Sequence, residues 1–131
     1  MVKLFLSTLF ILTFGLLQAQ NEDIKKELEK LKKEIRQSTY YDSSAVFEKG
    51  NKAIALAKKH KLPREESLIY QYYGNFYYFS YQAEKAKEAY QKSIAIAKSA
   101  NDFQLVNSTK IRLAFIATDK DVLDGEKQFR D

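Results

Sequence analysis

Residues Lys52–Gly74 read KAIALAKKHKLPREESLIYQYYG. They align without a gap on Lys92–Ala114, KSIAIAKSANDFQLVNSTKIRLA, at an offset of 40 residues. Self-similarity at such a distance marks an array of supersecondary units, each burying its apolar face against the next. Within both units apolar residues recur at helical spacing on either side of a short polar break, so each reads helix, turn, helix. Breakers are scarce, with Gly at 4 and Pro at 1 in 131 residues, and Ala, Lys, Glu and Gln abound. That composition favours helix throughout. The fold class expected is all-α.

The other segments fit the same scheme. In NEDIKKELEKLKKEIRQ, Ile24, Leu28, Leu31 and Ile35 form one apolar stripe. Six basic and five acidic residues between Glu22 and Arg36 alternate on the remaining faces, with pairs such as Glu29–Lys33, so those faces are expected in solvent. After a polar break at Ser38–Ser44, helix resumes with a narrow stripe of Val46, Gly50, Ala53 and Ala57. Pro63 suits a helix's first turn, and Glu65 and Glu66 suit its positive end. The aromatic helix that follows runs to about Ser80. Further helices are expected over AEKAKEAYQKSIAIAKSA and FQLVNSTKIRLAFIAT, and one more begins in DKDVLDGEKQFRD.

The chain opens MVKLFLSTLFILTFGLLQAQ. A basic Lys3, an apolar run of 14 residues and small-residue chemistry at Ala19 make the pattern of a secretory signal peptide. The run is shorter than the roughly 20 residues a membrane span needs. The expected organisation is a signal peptide over 1–19, an N-terminal capping helix over 20–41 and helical repeats over 42–131, the last incomplete. Without Lys3 the remainder keeps 21 basic against 17 acidic residues, a modest +4.

The stretch YQYYGNFYYFSY, residues 70–81, holds eight rings in twelve residues. Tyr70, Tyr73, Gly74 and Tyr77 share one helix face. Ala86, Tyr90 and Ser93 share one face of the next helix. This resembles the tetratricopeptide repeat, whose pattern is aromatic-x2-Leu-Gly-x2-Tyr, then a small residue, then an aromatic. Tyr70, Gly74, Tyr77, Ala86 and Tyr90 match it, with Tyr73 in the Leu position and Ser93 in that of the late Ala. Tyr81 stands where the family prefers a turn Gly and Ala83 where it prefers an aromatic, so the Tyr81 ring is expected to fill the space Ala83 leaves. Gly74 and Ala86 would let two helices close up, with Tyr70, Tyr77 and Tyr90 wedged around the contact. The later unit follows the pattern at Leu113–Ala114 and Gly125…Phe129, with a connecting turn about one residue shorter. The earlier one has Lys32 at the small-residue site.

The resemblance implies a short right-handed solenoid of about two and a half repeats. It also implies a concave groove, lined by the first helix of each repeat, that binds a protein or peptide. Carried over position by position, the groove would present Leu68, Gln71, Asn75 and Tyr78 from one repeat, and Ser108, Ile111, Phe115 and Thr118 from the next. That lining is apolar and neutral-polar. The family's clamp for chaperone tails needs Lys where Gln71 or Ile111 stands, so a hydrophobic or extended peptide is the expected occupant. Such an exported module could equally be the sensory front of a longer envelope signalling protein, a histidine kinase or a helix-turn-helix regulator.

Other chemistries find little footing. There is no cysteine, and His60 is the single histidine, without partners at metal-ligand spacing. DKDVLDGE lacks the alternation of a calcium loop and reads as a turn between helices. No Gly-rich phosphate loop or nucleophile elbow is present, so no enzyme, cofactor or metal is expected. Residues 70–81 contain no Lys or Arg, which argues against nucleic-acid stacking. Of the rings outside the core pattern, Tyr72, Phe76, Tyr78 and Phe79, Phe76 and Phe79 are expected to pack against neighbouring repeats. Asn107 heads an NST glycosylation sequon inside a helix.

Overall fold

The computed structural model describes residues 2–38 and 42–128; the surroundings of side chains are described for 18–38 and 42–124. The fold is all-α. Six helices follow one another: α1 (Val2–Ser38), α2 (Ser43–Lys59), α3 (Pro63–Phe79), α4 (Ala83–Ser99), α5 (Phe103–Thr118) and α6 (Lys120–Gln128). α1 runs through residue 19 without interruption. Among the described residues no helix is long and apolar enough to cross a membrane.

Helices α2 to α5 begin at residues 43, 63, 83 and 103, a spacing of 20, so the 40-residue sequence offset spans two helices. What sets the spacing is one turn used three times. Lys61, Tyr81 and Asn101 take the left-handed conformation, with φ of 54°, 57° and 56°. Around each, two backbone bonds close the preceding helix. At the first turn, Lys61 N–H donates to Lys58 C=O and Leu62 N–H to Ala57 C=O, at 3.1 and 2.8 Å. The same pair recurs at Tyr81–Gln82 and Asn101–Asp102. This is the Schellman closure, which reverses the chain and starts the next helix antiparallel to the last.

Starts are marked by residue type. Asp42 and Asp102 cap α2 and α5 by accepting from the Ala45 and Leu105 N–H groups, at 3.1 and 3.0 Å. Pro63 occupies the first position of α3, as the sequence predicts. α5 and α6 are joined by Asp119 alone, two residues fewer than at the other turns rather than one. The Asp119 carboxylate accepts the N–H groups of Asp121 and Val122, so DKDVLDGE is a capped helix junction.

Each helix packs against its sequence neighbours. α3 also touches α1 on one side and α5 on the other. α1, α3 and α5 therefore share one face of the array, and α2 and α4 the opposite one, with α6 on α4 and α5. Leu28, Leu31 and Ile35 of α1 are buried against Val46, Ala53 and Ile54 of α2 and Ile69, Tyr73 and Phe76 of α3. Gly74 faces the Tyr90 ring of α4, and Gly50 faces the Tyr73 ring from α3. Ser67 and Ser93, both buried, bond across α3 and α4, the Ser67 hydroxyl donating to the Ser93 carbonyl at 2.8 Å.

Several expectations are corrected. The Tyr81 ring does not fill the space beside Ala83. Tyr81 is exposed, and Ala83 is buried among Ala86, Tyr90, Ile116 and Val122. Phe76 is buried as expected, but Phe79 lies exposed. The charged faces of α1 are not all in solvent. Lys32, with only 7% of its side chain accessible, lies between Glu29 of α1 and Glu65 of α3, at 2.6 and 2.5 Å. Glu29 thus pairs with Lys32 rather than with Lys33. The expected roles of Gly125 and Phe129 lie outside the described side chains.

Candidate functional site: the α1–α3–α5 face

A straight helix offers one stripe to each neighbour. On α3 the residues at spacings of three and four from Leu68 are Gln71, Tyr72, Asn75 and Phe79. They line one depression of about 480 Å³, with Arg36 of α1 and Arg112 of α5 completing it. A second, of about 80 Å³, adjoins it. It shares Asn75, Phe79 and Arg112 and adds Tyr78, Tyr90 and Phe115. The two form one groove along α3, walled by α1 and α5.

The predicted groove residues fall into three groups. Leu68, Asn75 and Tyr78 are half-buried in its floor. Ser108, Ile111, Phe115 and Thr118 are exposed on α5, with Ile111 and Phe115 each 59% accessible. Gln71 differs. It is buried, and its amide donates to Thr109 Oγ1 at 2.7 Å and more weakly to Ser108 Oγ at 3.4 Å. Its polarity serves to join α3 to α5.

Two other floor residues are also engaged internally. Asn75 Oδ1 accepts from the Tyr90 hydroxyl at 2.8 Å and from Arg112 Nη1 at 3.3 Å. The Tyr78 hydroxyl donates to the Asp119 carboxylate. That bond, with desolvation, holds the Tyr78 phenol above its ordinary pKa. The same bond, aided by the N–H of Val122, holds Asp119 below its own. Burial pushes Tyr90 up to about 12, against the opposing charge of Arg112. These phenols therefore stay neutral and act as donors at physiological pH.

The residues missed by sequence reasoning are Arg36, Tyr72, Phe79 and Arg112. Arg112 could have been found, because it lies on the same stripe of α5, four residues after Ser108 and three before Phe115. Arg36 could not, since its position depends on how far α1 reaches beside α3. The Arg36 guanidinium stands over the Tyr72 ring at 5.9 Å and donates to its hydroxyl at 3.3 Å. The lining thus adds two cations to the apolar and neutral-polar residues expected.

A larger hollow, of about 610 Å³, lies between the turns at Lys61–Glu65 and Ala100–Gln104. The Arg64–Asp102 ion pair joins those turns, so the guanidinium there already has its carboxylate. Among the described residues no group of three or more His, Cys, Asp or Glu is placed to hold a metal ion. Comparison with protein-family models, curated proteins and solved structures gives no match.

Proposed function

We propose that this chain is an exported repeat module of the tetratricopeptide type, and that it binds a peptide or protein segment along the α1–α3–α5 groove. One observation carries the reading. Phe79, Ile111 and Phe115, 49%, 59% and 59% accessible, stand out on the face that also holds both adjoining depressions. Large exposed apolar groups gathered beside a concave surface mark an interaction site. Three turns of one geometry support the repeat reading, as does the contact of Gly74 with Tyr90, both at motif positions. The basic, apolar N-terminal segment ending near Ala19 supports export.

The groove is tested by fluorescence polarisation against a panel of extended synthetic decapeptides that vary in apolar and charged content. Phe79→Ala combined with Phe115→Ala should weaken the best peptide at least tenfold, since a truncated hot-spot side chain removes more than about 1 kcal/mol. The thermal midpoint should stay close to that of the wild type. Equal affinity in the double variant removes this face from the function. Asn75→Ala and Tyr78→Ala are poorer probes, because both also break internal hydrogen bonds. Cleavage of the signal segment predicts a processed chain beginning at Gln20, read by mass spectrometry of the expressed protein; a chain found only with Met1 retained overturns cleavage and leaves an uncleaved N-terminal anchor.

A further inference from the structure

The charges on the groove show what it reads. Arg36, Arg64 and Arg112 are the arginines among the described residues, and Arg64 is paired with Asp102. Neither Arg36 nor Arg112 faces a carboxylate among the described residues. Their bonds go to neutral groups, the Tyr72 hydroxyl and the Asn75 amide oxygen, each at 3.3 Å. Both are exposed, and both line the depression of about 480 Å³. Between neighbouring helices ion pairs do form, as at Lys49–Glu34 and Lys52–Glu27, each 2.8 Å apart. Among the described residues, two guanidinium groups in one hollow thus have no carboxylate partner. They come from α1 and α5, the helices that flank α3.

We infer that the groove takes an extended acidic segment, with Asp or Glu side chains against Arg36 and Arg112 and an apolar side chain against Phe79 and Phe115. This rests on the groove reading above and names its partner chemistry. Guanidinium binds carboxylate through two parallel N–H bonds, stronger than its present bonds to neutral oxygens. The two cations enter the hollow from opposite walls, Arg36 from α1 and Arg112 from α5, and the proposal gives each its own carboxylate. In an extended chain, side chains at i and i+2 lie on the same side about 7 Å apart. A segment with acidic residues at alternate positions offers both carboxylates on one side, and an apolar residue two positions further along that same side is available to the smaller depression lined by Phe79 and Phe115.

The test uses the full chain and amidated synthetic decapeptides in three matched series. The alternate positions carry Glu, Gln or Lys, and the Leu and Phe content is constant. The Glu series should bind at least tenfold tighter than the Gln series, and the Lys series weakest. Raising the salt from about 50 to 300 mM should narrow the gap. Arg36→Gln and Arg112→Gln should each remove most of the Glu preference, while Lys110→Gln, an exposed cation elsewhere on α5, should leave it intact. If the Glu and Gln series bind equally, or if Lys110→Gln costs as much as either arginine, the acidic segment is overturned and the groove stands. If no series binds, both fall.

Discussion

Gly74 has no side chain where the Tyr90 ring lies, and Gly50 has none where Tyr73 reaches across from α3. A methyl group at either site would overlap the ring, so the helix pair could close only by moving apart. At Gly74 the obstacle is the body of the Tyr90 ring; at Gly50 it is the hydroxyl end of Tyr73. Gly74→Ala should therefore cost about 1–3 kcal/mol despite alanine's better helix propensity. Gly50→Ala should cost less. Urea denaturation checks the order, and an unchanged midpoint for Gly74→Ala would rule out this contact as the source of close approach. The opposite sign belongs at Tyr81, which holds a left-handed φ of 57° with its ring exposed. Tyr81→Gly removes the steric cost of that conformation and should add about 1 kcal/mol. Of the eight rings at 70–81, Tyr73 and Phe76 are buried and Phe79 and Tyr81 exposed. Helical spacing made Gly74 with Tyr90 legible. It did not reveal what Tyr81 does, because an exposed ring on a turn leaves no periodic trace.

At the scale of elements, α1 is tied to α3 through Lys32, which stands where the resemblance would put a small residue. A lysine there read as a departure from the pattern. In the fold it becomes a buried link, because Glu65 in the first turn of α3 supplies a carboxylate. Desolvation alone would lower the Lys32 pKa, but the hydrogen bonds to Glu29 and Glu65 outweigh it and the folded value is raised. A raised lysine binds its proton more tightly folded than unfolded. Its contribution is therefore full at neutral pH, below the unfolded value near 10.4, and disappears as pH climbs through the folded one. Glu65→Gln should lower stability by about 2 kcal/mol at pH 7, less than a fully buried pair because Glu65 is partly exposed. The deficit should shrink above about pH 10.5. Denaturation midpoints at pH 7 and pH 11 measure both, and a deficit of the same size at the two pH values excludes Lys32 as the partner that matters. Local sequence could not show this link, which needs two charges 33 positions apart.

Over the whole molecule, contacts run almost entirely between helices adjacent in sequence, with α3 bridging to α1 and α5. In such an array stability is close to a sum of unit and nearest-neighbour contributions. This is also why so much of the fold was legible: the period of the apolar stripes and the turns between them are local properties, and local rules dominate. The groove was legible only in part. Its floor follows helical spacing on α3, but Gln71 was lost to an α5 partner and Arg36 was supplied from another element. The same one-dimensional logic predicts uneven opening. α3 and α4 share the most extensive interface, sealed by Gly74, Tyr90 and the Ser67–Ser93 bond. α6 is held by Val122 and Leu123 beside Ile116 and by the Tyr78–Asp119 bond. Amide exchange should accordingly be slowest in α3 and α4 and fastest in α6. Val122→Ala, which deletes a buried side chain, should speed exchange in α6 and leave that of α3 and α4 unchanged. If the substitution instead accelerates every slow amide by the same factor, the six helices open as one cooperative unit and the nearest-neighbour description fails.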